Sequence, residues 1–177
     1  LKAVWHRGAV DADGKTGDGA GIHVEIPKDF FIEKIEVTGH THDNSEICVG
    51  MIFLPRNDYA AQESCKTIVE SELTKNDFSI YGWSQVPVNP KVLGEKAFQT
   101  MPEIIQVLFK PYNPELTNKD LERKIYETRR KIENEAFKKS LNNFYICSLS
   151  SKSIIYKGMF LAEAISDFYL DLKDKRF

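Results

Sequence analysis

Five of the chain's 10 glycines fall in one stretch of sixteen residues near its start, His6-Arg7-Gly8-Ala9-Val10-Asp11-Ala12-Asp13-Gly14-Lys15-Thr16-Gly17-Asp18-Gly19-Ala20-Gly21. Glycine at this density admits positive φ and lets backbone approach its surroundings closely, at an entropic cost that a plain connector need not bear. The stretch follows an apolar lead-in (Leu1, Ala3, Val4, Trp5) and precedes a strand-like run, Ile22-His23-Val24-Glu25-Ile26. Arg7, Asp11, Asp13, Lys15 and Asp18 add charge of both signs. One reading is a long surface loop. A phosphate cradle fails, because neither G-x-x-x-x-G-K-[ST] nor G-x-G-x-x-G is present and Lys15-Thr16 follows the wrong glycine frame. A calcium loop fails as well: Lys15 stands where an oxygen ligand is needed, and no glutamate closes the ring.

Composition bounds the rest. With 177 residues, 42% of them hydrophobic and 28% charged, the chain has the make-up of one globular domain. A whole domain of this length buries roughly 70% of its unfolded surface. A net charge of −2 leaves no basic excess to neutralise phosphates, which argues against nucleic acid as a main partner. No apolar run is long enough to span a membrane. Cys48, Cys65 and Cys147 are far apart and form no C-x-x-C, so they read as reduced core thiols. Cys48 and Cys147 sit in apolar, strand-like runs where a thiolate is disfavoured. His40-Thr41-His42-Asp43 has two histidines beside a carboxylate but no further ligand nearby, and reads as a loop rather than a metal site. His6 and His23 read as hydrogen-bonded structural histidines.

The hydrophobic pattern predicts one α+β unit. Ile22–Ile26 is a strand closed by Pro27, and a short helix runs from Phe30 to about Val37. Glu46–Leu54 is a buried strand by its unbroken apolar run. Asn57 or Asp58 caps a helix whose Ala61, Cys65, Ile68, Val69 and Leu73 share a face, ended by Asn76-Asp77. Phe78–Val86 and Ile104–Phe109 are strands, the first leading to a connector with Pro90 and Leu93-Gly94. Thr117 caps a charged helix, Leu121 to about Phe137, with Leu121, Ile125, Ile132 and Ala136 turned inward. Phe144–Leu149 and Ser153–Tyr156 read as a hairpin around Ser150-Ser151-Lys152, with Ser148, Ser150 and Ser151 as turn residues. A final helical turn or two begins at Phe160.

The opening stretch resembles the glutaminase domain of the glutamate synthase large subunit, a class II glutamine amidotransferase. The similar text runs from His6-Arg7-Gly8-Ala9 through Asp13-Gly14-Lys15-Thr16-Gly17-Asp18-Gly19-Ala20-Gly21-Ile22. Related amidotransferases carry a shorter Arg-Gly…Asp-Ser-Ala-Gly-Ile version, with serine where Gly19 stands. Further similar blocks follow in the family's order: Ile26-Pro27-Lys28-Asp29-Phe30-Phe31, Gly82-Trp83-Ser84-Gln85-Val86-Pro87-Val88-Asn89-Pro90, Glu122-Arg123-Lys124-Ile125-Tyr126, Tyr145-Ile146-Cys147-Ser148-Leu149-Ser150-Ser151 and Ile155-Tyr156-Lys157-Gly158-Met159.

The resemblance implies part of the four-layer αββα sandwich of the N-terminal-nucleophile hydrolases, with residues 1–177 as an incomplete amidotransferase domain. The family's nucleophile is an N-terminal cysteine, which the resemblance places before Leu1. An arginine that grips the glutamine carboxylate and an Asn-Gly oxyanion hole fall after Phe177. On that reading no catalytic residue lies in the chain, and residues 1–177 alone are expected to be inactive. Arg7 and Gly8 are expected to line the nucleophile pocket, with Asp18 holding the loop through backbone N–H groups. Trp5 reads as core. No cofactor or metal is expected in the chain itself. The parent enzyme is expected to use FMN and an iron–sulfur cluster, take glutamine as substrate, and work with its synthase domains and a small reductase subunit or ferredoxin. Nucleic acid and membranes are not among the expected partners. The implied location is the cytoplasm, or a plastid in a plant or alga. The competing reading is a non-catalytic binding or assembly module of the same fold.

Overall fold

The computed structural model describes residues 9–177; the readings made for Trp5, His6, Arg7 and Gly8 lie outside the described residues. In chain order the elements are β1 (Ala20–Glu25), α1 (Lys28–Val37), β2 (Cys48–Leu54), α2 (Tyr59–Lys75), β3 (Phe78–Gln85), α3 (Glu95–Gln99), β4 (Glu103–Pro111), α4 (Asn118–Lys138), β5 (Tyr145–Ser150), β6 (Ser153–Gly158) and α5 (Ile165–Phe168). Short 3₁₀ turns occupy Pro90–Val92, Ala162–Ala164 and Leu170–Lys173. This mixture of helices with antiparallel sheet is the expected α+β class. The chain divides into two compact units.

The larger unit comprises Glu25–Gln85 and Pro102–Ile154. Its sheet has the order β3-β4-β2-β5, antiparallel throughout. β2 is apolar on both faces because it is paired on both edges and covered on both sides, as its burial shows. Val107 and Phe109 of β4 and Phe78 of β3 form one core cluster with Cys65, Ile68, Val69 and Leu73 of α2 and Leu121, Ile125, Ile132 and Ala136 of α4. Both helices start where a side chain catches a free N–H. Asp58 accepts from the Ala61 N–H at 2.9 Å, and Thr117 accepts from the Asp120 N–H at 3.2 Å. The inward face of α4 also carries Thr128, fully buried, whose hydroxyl donates to the Lys124 carbonyl at 2.8 Å. The opposite face is laced by exposed pairs such as Arg123–Glu127.

Two bulges bend the sheet. On β3, Ile80 pairs with Phe109 and Gly82 with Leu108, so Tyr81 is extra. Gly82 has φ +147°, and a Cβ there would meet the Thr38 side chain at 3.0 Å; glycine satisfies both constraints. On β5 the extra residue is Cys147, between Ile146 and Ser148. Beside it Arg129 donates to the Ile146 carbonyl at 2.8 Å.

The hairpin reading is corrected. β5 pairs with β2, whereas β6 pairs with β1 in a separate two-stranded sheet. The Ser151-Lys152 turn therefore hands the chain from one sheet to another. Ser148 and Ser150 are buried within β5 rather than in the turn. The turn is held by Glu122 of α4, whose carboxylate accepts from the Ser151 N–H at 2.6 Å and from the Ser151 and Ser150 hydroxyls at 2.7 and 3.0 Å. A local turn signal cannot tell which strand each arm will pair with.

The smaller unit gathers the described residues up to Val24, Val86–Met101 and Ile155–Phe177. Along β1, Ile22 and Val24 are half-buried and alternate with exposed Gly21 and His23. His23 is an exposed residue of this strand. The core here is aromatic: the Tyr156 ring lies edge-on to Tyr169 at 5.0 Å and to Phe177 at 5.7 Å, and Phe160 packs on Phe168 at 5.3 Å. Both buried hydroxyls are used. Tyr156 donates to Asp171 at 3.2 Å and Tyr169 to the Lys157 carbonyl at 2.7 Å.

Ile125→Ala should cost about 2–5 kcal/mol, the range for truncating a fully buried aliphatic side chain. Arg123→Ala, two residues away but solvent-facing, should stay within about 0.5 kcal/mol. Urea unfolding of the two variants distinguishes them; equal losses would mean that α4 does not present the face described.

Candidate functional site

The glycine-rich loop is closed on itself before it touches anything else. Val10 and Gly17 form an antiparallel bridge, the Asp11 N–H donates to the Thr16 carbonyl at 2.9 Å, and the Asp18 N–H donates to the Ala9 carbonyl at 3.1 Å. Gly14, at φ +68°, makes the tip, where a residue with a side chain would be strained.

The residue that organises the tip is Asp13. Its Oδ1 accepts from the Lys15 N–H at 2.9 Å and the Thr16 N–H at 2.7 Å, and its Oδ2 accepts from the Thr16 hydroxyl at 2.6 Å. Asp13 lies against the start of α3, whose N-cap is Gly94. Gly94 is fitted to this arrangement: a Cβ on it would lie 2.1 Å from Asp13 Oδ2 and 2.2 Å from Thr16 Oγ1. A second tie joins Lys96 to Asp11 at 3.0 Å. On the other side of the loop, a Cβ on Gly17 would sit 2.8 Å from the Phe160 carbonyl.

The Thr16 hydroxyl first, then the Thr16 and Lys15 N–H groups, hold the Asp13 carboxyl down at about 2. Lys96 lowers Asp11 in the same direction. Asp18, expected to hold the loop through its side chain, is exposed and joins it through its backbone N–H. Asp13 performs the anchoring. Sequence reading passed over Asp13, Thr16, Gly94 and Lys96. The D-x-x-T spacing was a usable signal, since a carboxylate can catch the N–H groups two and three residues on. Gly94 and Lys96 carried none, because only the fold brings residues 94–96 to residues 11–16.

The other candidate groups have protein partners. His40 Nδ1 lies 3.1 Å from the Thr38 hydroxyl, and His42 Nε2 lies 2.9 Å from the Ser45 carbonyl. Asp43 accepts from Lys110, Ser45 and, at 3.2 Å, the Tyr81 hydroxyl. Its carboxyl is pulled well below the usual range, chiefly by Lys110. Among the described residues no group of three His, Cys, Asp or Glu could hold a metal ion. The three thiols are buried. Burial pushes Cys48 well above its ordinary value and Cys65 up to about 11, so neither is a nucleophile at neutral pH.

The chain matches the family model for class-II glutamine amidotransferases over residues 1–177. It is 53% identical over 177 residues to the "Glutamate synthase [NADPH] large chain" of Azospirillum brasilense, covering 100% of this chain and 12% of that one. To the "Ferredoxin-dependent glutamate synthase 1, chloroplastic/mitochondrial" of Arabidopsis thaliana it is 40% identical over 179 residues, covering 100% and 11%. To the chloroplastic ferredoxin-dependent enzyme of Spinacia oleracea it is 37% identical over 179 residues, again 100% and 11%. The chain thus spans between 11% and 12% of the length of these curated relatives.

A carboxyl whose folded pKa lies below its unfolded one lends stability that is whole above the unfolded value and fades as pH falls through the folded one. For Asp13 that window runs from about 4 down to about 2. An NMR titration of the side-chain carboxyls should place its midpoint near 2, and a midpoint near 4 would mean that these bonds do not form. Gly94→Ala should push Asp13 and Thr16 apart, with faster amide exchange at Lys15 and Thr16 as the readout. Unchanged exchange there would contradict the close fit.

Proposed function

We propose that this chain, which belongs to the class-II glutamine amidotransferases, forms part of the glutaminase domain of a glutamate synthase large subunit. The observation that carries the reading is 53% identity across all 177 residues to a glutamate synthase large chain. In this chemistry an N-terminal cysteine thiol attacks the side-chain amide carbon of glutamine, and ammonia leaves. The cysteine's own α-amine, with a pKa near 8, takes the thiol proton. The ammonia passes to a synthase domain, where 2-oxoglutarate becomes glutamate. The nucleophile, the carboxylate-gripping arginine and the Asn-Gly oxyanion hole are assigned outside residues 1–177. Arg7 and Gly8 are assigned to the wall of the nucleophile pocket, with Asp18 as support.

FMN and an iron–sulfur cluster belong to the synthase half of the proposed parent. This chain's residues do not fit a cluster: Cys48, Cys65 and Cys147 stand on β2, α2 and β5 and are buried. Higher identity to the NADPH chain than to the ferredoxin-dependent enzymes (53% against 40% and 37%) favours a parent that draws electrons from a nicotinamide through a small reductase subunit. Among the described residues no helix is long and apolar enough to cross a membrane. The proposed location is the cytoplasm, or a plastid in a plant or alga.

Residues 1–177 expressed alone should release no ammonia from glutamine. A polypeptide extending them to the N-terminal cysteine and through the Asn-Gly pair should release it, and replacing that cysteine by alanine should abolish the release. Ammonia release by residues 1–177 alone, or an extended polypeptide that binds glutamine without hydrolysing it, would overturn the reading. The latter result would favour a non-catalytic binding module.

A further inference from the structure

We propose that the outer face of α2 and α4 is a self-complementary docking surface for a second copy of this chain. It lies wholly within the larger unit and does not depend on the glutaminase reading.

The topology fixes the layout of this face. β3 and β2 each pair antiparallel with β4, and β4 and β5 each pair antiparallel with β2. β2 therefore runs parallel to β3, and β4 parallel to β5. Each helix carries the chain back between two parallel strands, so α2 runs against β2 and α4 against β4. The two helices are thus antiparallel neighbours. Two ties join them at the C-terminal end of α2: Lys124 to Asp77 at 2.8 Å and Lys131 to Asn76 at 2.6 Å. Their inner faces share one core cluster, and their outer faces are exposed.

The outer faces carry opposite charge. Exposed Asp58, Glu63 and Glu70 stand along α2, and exposed Arg130, Lys131 and Lys138 stand along α4. Intrahelical pairs take up part of this charge, as Lys66 does for Glu63 and Glu133 for Arg130, but exposed pairs of that kind are weak. Glu70 takes the Trp83 indole N–H at 2.7 Å, and Lys131 donates to an amide. Neither neutral partner cancels a charge. Aromatic side chains lie among these groups. Tyr126 and Phe137, 61% and 83% exposed, are about three turns apart and so share one face of α4, with Arg130 between them. Tyr59, at the start of α2, is 77% exposed, and the antiparallel arrangement puts it toward the Phe137 end. Single exposed apolar residues are ordinary, whereas aromatics in one stripe with arginine have the composition of interface centres.

A two-fold axis lying in this face and parallel to the helices sets α4 of one copy on α2 of the other, with like ends together. The basic stripe then meets the acidic stripe twice, and Phe137 comes to the Tyr59 end of the second copy. Such a contact is isologous and closes at two chains. The length of α2 and two helix widths give a face of about 25 by 20 Å, so a dimer covers roughly 1,000 Å² in all, the lower end for a specific interface. The association is accordingly weak and concentration-dependent, and its charge pairing makes it sensitive to salt.

The test is sedimentation velocity, at several concentrations, on the polypeptide that carries residues 1–177 at its full natural length. The unmodified protein should self-associate, about tenfold or more weakly when salt rises from about 0.05 to about 0.5 M. One variant, Arg130→Glu with Lys138→Glu, makes the α4 face acidic. A second, Glu63→Lys with Glu70→Lys, makes the α2 face basic. Each alone should associate about tenfold or more weakly, because like charges then face each other. Mixed together they should recover association, since each contact between the two is again of opposite sign. A folding defect cannot produce that recovery, and circular dichroism checks beforehand that both variants are folded. Phe137→Ser, at an exposed position, should also weaken association and serves as the measurement should a charge variant fail to fold. A monomeric unmodified protein overturns the proposal, as does association that these changes leave unmoved; the face is then solvated or covered by another part of the polypeptide. Folded charge variants that do not recover on mixing overturn it too. Ammonia release is not read in this experiment, so each of these outcomes leaves the proposed function standing.

Discussion

One carboxylate does for the glycine-rich loop what a hydrophobic core does elsewhere in the molecule. Residues 11–15 are exposed and bury nothing that could order them, and glycine makes their ordering entropically expensive. Asp13 answers this by concentrating three donors of the loop on its two oxygens. Ionised acceptors make stronger hydrogen bonds than neutral ones. Here the ionised form is the one the loop selects, which is why the Asp13 pKa lies so low. The glycines follow from this arrangement. Gly94 clears space for the carboxylate, Gly17 lets the loop lie on the Phe160 backbone, and Gly14 turns the tip.

What could be read in advance follows the range of the forces involved. The faces of α2 and α4 were legible because burial recurs at helical spacing, and Leu121, Ile125, Ile132 and Ala136 all turn inward as their period requires. The helix starts at Asp58 and Thr117 were legible because capping is a contact three residues long. The β5–β6 pairing was misread because Ser150-Ser151-Lys152 makes an equally good turn whether the arms join each other or different sheets. The deciding bonds come from Glu122, distant in sequence. α3 went unseen because five residues are too few to show a period.

The same distinction separates the parts of the candidate site. Arg7, Gly8 and Asp18 were singled out by resemblance, which compares text and is blind to geometry. Asp13 and Thr16 sit in the same text and were passed over, since a carboxylate three residues before a threonine is an ordinary turn until something docks on it. That something is residues 94–96, placed there by the antiparallel bridge of Val88 to Tyr169 and by the bond from the Asn89 N–H to the Phe168 carbonyl at 2.8 Å. The clasp is therefore a tertiary feature written partly in a local motif.

The buried thiols point to the same division of labour. A nucleophilic cysteine needs an exposed, electropositive setting, and Cys48 and Cys65 have the reverse: apolar surroundings that raise their pKa and remove them from chemistry. Cys147 is the extra residue of a bulge beside the carbonyl that Arg129 holds, a packing position. The three thiols are thus core groups of the fold. The glycine-rich loop is tied at Asp13, wedged at Gly17 and bonded at the Ala9 carbonyl. The glycine-rich stretch is thus better understood as a rigid bracket than as a flexible flap.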